Sequence, residues 1–203
     1  MRLLGKTVGM VTVLALAMVG CGDDESTTAT TTAAAAAASK LDRFLVRANE
    51  APGLSPEGEP KVLSSLKALV AEFGVPEADQ RRLQEHGFEA TVTQMLVGPS
   101  DAAGISTVDV FASEAGAAQE LEYLVSNKEK DAPEGVKNFE RFDVPGAPTA
   151  VGWTFDKPGG SKAADLHWSQ GRCVMTLGSE PPLLDQLRAG VKALYERTGG
   201  RCP

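Results

Sequence analysis

From residue 88 onward, apolar and polar residues alternate with a period of two, and glycine and proline repeatedly break the pattern. Few folds accommodate that pattern. Phe88, Ala90, Val92 and Leu96 fall on one side of residues 88–97, and a loop over 98–104 leads to a second strand over 105–111. Residues 139–144 end at Pro145-Gly146, and Thr149, Val151, Trp153 and Phe155 alternate up to the turn Lys157-Pro158-Gly159-Gly160. Two more strands, over 163–169 and 172–177, meet at Gln170-Gly171. Short strands joined by turns of this kind pair antiparallel, because parallel neighbours need a long crossover.

Helical periodicity lies between these runs. Val62, Leu63, Leu66, Leu69, Val70 and Phe73 share one helical face, with Gly74 as a stop. A more polar helix runs over 76–86 and closes at Gly87. Ser113 is placed to cap a helix with Ala117, Leu121, Leu124 and Val125 on one face. Ser179 is placed to cap the last helix, whose apolar residues are Leu183, Leu184, Leu187, Val191, Leu194 and Tyr195. Residues 41–51 fit a helix through Leu41, Phe44, Leu45 and Ala48, and a strand through Phe44, Val46 and Ala48. The expected fold is α+β: one antiparallel sheet of about five to six strands, with helices packed mainly on one face, forming a single domain over 40–203. Hairpin-then-helix occurs twice, ending in Ala112-Ser113-Glu114 and in Gly178-Ser179-Glu180. This is either an internal repeat or the usual chemistry of a strand-to-helix junction.

The first 39 residues have a different character. Arg2 and Lys6 precede an apolar run over 7–20, too short for the roughly 20 residues of a spanning helix, and it ends at Cys21. Ala17-Met18-Val19-Gly20-Cys21 resembles the lipobox of bacterial lipoproteins. The resemblance implies a signal peptide over 1–20, lipidation of Cys21, and attachment to the membrane through that N-terminal lipid. Two acyl chains hold a protein stably where one does not. The alternative is an ordinary signal peptide that leaves Cys21 as a free thiol. Residues 21–39 are rich in Thr and Ala, without an aromatic or branched aliphatic side chain, and are expected to be a flexible tether. Such a tether reaches roughly 60 Å when extended.

Charge and rare residues narrow the function. The chain has 20 basic and 27 acidic residues, a net of −7, which argues against nucleic acid. Loss of Arg2 and Lys6 with the signal leaves 18 basic residues against 27 acids, a net of −9. Close to an anionic membrane this charge is mildly repulsive, so the domain is expected to stand off the membrane and not to lie on it. With Cys21 given to lipid, Cys173 and Cys202 remain. Outside the cytoplasm they are expected to pair and clamp the end of the last helix to the sheet; a redox or nucleophilic thiol is the alternative. The two histidines and scattered cysteines do not suggest a metal site. His86 sits at a helix end, favourable to a cationic imidazole. His167 is either a solvated sheet residue or one wall of a pocket, and Trp153 and Trp168 read as packing residues or as a stacking surface for a ligand.

No G-x-S-x-G elbow, H-E-x-x-H helix, P-loop or dinucleotide glycine fingerprint occurs. Ser100-Asp101 has no histidine beside it in the sequence. Glu120 and Glu122 face different sides of a helix and read as solvated surface. No catalytic residue, cofactor site or metal site is therefore assigned, and the chain is not expected to be an enzyme.

The stretch Phe44-Leu45-Val46-Arg47-Ala48-Asn49-Glu50-Ala51-Pro52-Gly53, then Gly87-Phe88, Val108-Asp109-Val110-Phe111-Ala112-Ser113 and Gly171-Arg172-Cys173-Val174, is similar to a group of actinobacterial extracytoplasmic proteins. These are stand-alone lipoproteins and the outer sensor domains of receptor serine/threonine kinases. The kinase sensors typically hold two disulfides, and this chain has cysteines for one. The resemblance implies a ligand-binding or sensing lipoprotein on the extracytoplasmic face of the cell membrane, its partner an unknown small ligand or envelope protein. The alternative is a structural, protein-interaction lipoprotein of the envelope.

Overall fold

A computed structural model describes residues 40–202. The expected signal peptide, Cys21 and the expected tether lie outside the described residues. Among the described residues seven strands form one antiparallel sheet: β1 (Ser55–Leu63), β2 (Phe88–Val97), β3 (Ala103–Phe111), β4 (Lys137–Asp143), β5 (Val151–Asp156), β6 (Lys162–Gln170) and β7 (Cys173–Glu180). Their order is β1-β2-β3-β7-β6-β5-β4. Two meanders thus meet where β3 pairs with β7, Val108 opposite Met175. The helices given whole by the described residues are α1 (Leu66–Phe73), α2 (Glu77–Glu85), α3 (Glu114–Asn127) and α4 (Leu184–Thr198). The α+β fold and antiparallel sheet are those the alternation predicts, with slightly more strands.

The additional strand is β1, and its chemistry hid it. Ser55–Leu63 contains Pro56, Pro60 and Gly58 and is almost wholly exposed. An edge strand tolerates proline because one side of its backbone has no partner strand. The β1–β2 register shifts between Glu57 and Lys61. There Gly58 takes a positive φ of 67°, and the buried Gln94 donates to the Glu57 carbonyl at 2.6 Å. Val62 and Leu63, expected in a helix, finish this strand opposite Val92 and Thr91. Helix α1 starts after Ser65, whose hydroxyl accepts from the Ala68 N–H at 3.2 Å.

The larger core lies on one sheet face. Val92, Leu96, Val108, Leu166, Trp168, Met175 and Leu177 pack there against Leu187, Val191 and Leu194 of α4 and against Phe44, Val46 and Leu54. Each such large apolar side chain contributes about 1.5–3 kcal/mol by burial. Residues 42–54, which include most of the ambiguous stretch 41–51, are neither α-helix nor strand beyond a short 3-10 turn at Asp42–Phe44. A buried irregular segment must find other partners for its backbone groups. Ser106 Oγ accepts from the Val46 N–H at 3.1 Å, and the Arg197 guanidinium donates to the Leu45 carbonyl at 2.9 Å and to the Arg43 carbonyl.

The other three helices share the opposite face. Leu83 of α2 and Ala117 of α3 pack with Phe111 and Val174, joined by Leu66, Leu69, Leu121 and Leu124. Gly116 permits the junction of α2 and α3: a Cβ there would lie 2.0 Å from the His86 carbonyl oxygen. Helices α3 and α4 each follow a hairpin but fall on opposite faces, so the repeated grammar does not generate a symmetric pair. Ser179 belongs to β7 and not to the cap of α4. Its hydroxyl nevertheless accepts from the Leu183 N–H at 2.9 Å, at the start of α4.

Candidate functional site

Helices α1 to α3 leave part of their sheet face open, and a groove of about 1000 Å³ lies between it and the ends of α1 and α3. Its floor carries Met95, Ile105, Ala163, Phe155 and Phe139, and its walls Phe73 and Leu124. Among the described residues three large apolar side chains are exposed, Phe73, Met95 and Val97. The first two, at 39% and 41%, both line this groove. A concave, mostly apolar surface of this size is the usual form of a small-ligand site.

One polar cluster interrupts it. Lys128, just past α3, forms an ion pair with Asp165 on β6, while its ammonium lies 5.6 Å from the Trp153 ring and 5.2 Å from the Phe155 ring. His167, two residues along the same strand face, is buried. Its Nδ1 lies 3.0 Å from Thr176 Oγ1, and its Nε2 lies 3.7 Å from Asp165 Oδ2, beyond hydrogen-bond reach. Burial pushes the Asp165 carboxyl up, but His167 and Lys128 outweigh it and hold the carboxyl below its ordinary range. Asp165 Oδ1 and His167 Nε2 are buried with no hydrogen-bond partner among the described residues. Orphaned polar atoms of this kind are uncommon and costly. Ion pairs Lys61–Glu72 and Lys157–Glu180 stand among the other lining residues.

A second polar cluster braces the helices above the groove. Glu120 is buried, and its Oε2 lies 3.1 Å from Arg82 Nε and 2.8 Å from His86 Nδ1. The Arg82 guanidinium also pairs with Asp79 and lies 4.0 Å from the Tyr123 ring centroid. Glu120 is therefore not the solvated side chain its helical position suggested. Its partners come from α2, 34 and 38 residues away, beyond any local pattern. Below it, burial raises the Asp109 carboxyl to about 6; the Glu120 charge adds to this rise and the Thr91 hydroxyl opposes it.

The structure separates the residues that sequence singled out. Of the two readings of His167, the structure gives the wall of a pocket. His86 is occupied by Glu120, Trp168 lies in the larger core, and Trp153 packs 5.8 Å from the His167 ring. Ser100 and Asp101 form a turn with φ of 55° and 60°. Cys173 and Cys202 are brought together with a Cα–Cα distance of 5.8 Å, typical of a disulfide. Sequence reasoning missed Lys128, Asp165, Phe73 and Met95. Only the alternation of polar Asp165 and His167 along one strand could have pointed there. Among the described residues no group of three or more His, Cys, Asp or Glu side chains could hold a metal ion, and no helix is long and apolar enough to cross a membrane. The groove offers an apolar bed beside the Lys128–Asp165 pair and His167, suited to holding a molecule.

No protein-family model matches the chain, and no curated protein matches it in sequence. Among solved structures, the crystal structure of the extracellular domain of PknH from Mycobacterium tuberculosis is similar, with a TM-score of 0.53 and 14% sequence identity. The match covers 80% of this chain and 96% of that one. At this identity the likeness is one of fold, and the fold is one that an extracellular domain adopts.

Proposed function

We propose that the chain is a lipid-anchored extracytoplasmic lipoprotein that binds or senses a small amphiphilic ligand in the groove between the sheet and α1 and α3. Its role is binding and not catalysis. The observation that carries this reading is the pairing of exposed Phe73 and Met95 with the orphaned Asp165 Oδ1 and His167 Nε2 in one concavity. An apolar chain would cover the former, and a hydroxyl or amine would satisfy the latter. The shared fold with an extracellular domain, and the lipobox-like start with Cys21, support the location.

Thermal shift with single-chain amphiphiles that differ only in head group, a fatty acid and the corresponding alcohol and amine, tests the reading. Saturation at about 100 times the Kd stabilises by about 2.7 kcal/mol, or roughly 5–10 °C for a domain of this size. The alcohol or amine is expected to give that shift, and Met95→Glu to abolish it. If none of the three moves the melting temperature, the groove is not a site for amphiphiles. A single stoichiometric protein partner recovered by crosslinking would instead favour the protein-interaction role.

A further inference from the structure

A second concavity, of about 590 Å³, lies beside the larger core, between residues 43–47 and the chain after α4. Four arginines line it, Arg43, Arg47, Arg197 and Arg201, with Phe44 and Cys202. Arg197 is committed within the fold: it pairs with the buried Glu50 and donates to the Arg43 and Leu45 carbonyls. Arg43, Arg47 and Arg201 are exposed and form no ion pair among the described residues. The Arg43 guanidinium lies 4.7 Å from the Phe44 ring centroid, a cation–π contact on an exposed side chain. The only acid between residues 40 and 49 is Asp42, and none occurs over 197–203. In a chain with a net charge of −7, this is a cationic pole.

Its place in the fold gives it meaning. Lys40, where the described residues begin, is three positions from Arg43. The chain therefore leaves the domain toward residues 1–39 at this pole. We propose that the arginine-lined concavity docks the phosphate headgroups of anionic phospholipids and seats this end of the domain on the membrane. Guanidinium forks match phosphate oxygens bidentately, and three uncommitted forks around one hollow exceed what a single carboxylate would use. The expectation that net acidity repels the domain from a membrane treats the charge as uniform, whereas this end of the domain is locally basic. The pole is near the Cys173 end of β7, while Gly178, Ser179 and Glu180 at its other end line the groove, on the opposite sheet face. Roughly 20 Å of strand separates them, so the docked domain keeps its groove open to solvent.

The test uses the chain from Gly22 onward, which lacks Cys21 and any acyl anchor but retains every described strand and helix. Binding is measured by cosedimentation with phosphatidylcholine vesicles, with and without phosphatidylglycerol. The proposal predicts binding that requires phosphatidylglycerol, weakens with salt, and falls about 100-fold in Arg43→Ala/Arg47→Ala/Arg201→Ala, from a roughly fivefold factor per arginine at a lipid surface. Arg197 is left intact, and an unchanged melting temperature confirms that the triple variant is folded. Equal binding to both vesicles, or phosphatidylglycerol binding that survives the triple substitution, overturns it. So does stabilisation by inorganic phosphate alone without vesicle binding, which would mark a site for the free anion.

Discussion

Lys128, one residue beyond the end of α3, is paired with Asp165 on β6, so an ion pair ties the helix to the sheet at the groove. Both side chains are mostly buried, with exposures of 20% and 17%, and breaking a buried pair from one side strands the other charge. Lys128→Met is therefore expected to cost about 1–3 kcal/mol at pH 7 in urea denaturation. The Asp165 carboxyl is held below its ordinary range. Its stabilising contribution is thus present above the unfolded-state value and lost as pH falls through the lower folded one. In Lys128→Met the loss begins at higher pH. Adding Asp165→Asn should recover part of the stability, because the stranded charge is gone.

Asp109 behaves in the opposite sense. It ionises near 3.8 in the unfolded chain and near 6 in the fold. Between those values the folded protein holds the extra proton, so stability falls as pH rises through that window and stays lower above it. Asp109→Asn should raise stability at pH 7 by on the order of 1–3 kcal/mol, with little gain below pH 4. Urea titrations across this range measure it; a variant equally destabilised at every pH would contradict the burial account.

Cys173 and Cys202, 29 residues apart, are proposed to form a disulfide that holds the chain after α4 against the start of β7. Reduction is expected to cost about 3–4 kcal/mol, read as a lower melting temperature in reductant. Mass spectrometry of the oxidised, unfolded protein should detect no free thiol at either position. Two alkylated cysteines would refute the pairing.

Much of the architecture was legible because its determinants are local. The alternation in β2, β3, β5, β6 and β7 and the hairpin joining β2 to β3 depend on neighbours within a few residues. So does the Ser113 cap, whose hydroxyl accepts from the Gly116 N–H at 3.1 Å. What was hidden depends on distant partners. Residues 41–51 fit both periods, and the irregular course of 42–54 was hidden because Ser106 and Arg197, 60 and 152 residues away from their partners there, satisfy part of its backbone. β1 is concealed by prolines that only an edge position excuses. The groove was legible only through His167. The ion pair beside it, Lys128 and Asp165, joins residues 37 positions apart that meet only because α3 packs over β6. The basic pole was averaged away, since Arg43 and Arg197 come from opposite ends of the domain.

Met95 and Met175 are the only methionines among the described residues; Met95 lies exposed in the groove and Met175 is wholly buried in the core on the opposite face. Methionine-methyl NMR of the protein titrated with a long-chain fatty alcohol therefore reads the central proposal directly. A ligand in the groove should shift the Met95 methyl in a saturable way and leave Met175 unmoved. A saturable shift confined to Met175, or an unperturbed Met95 at saturating alcohol, would contradict it.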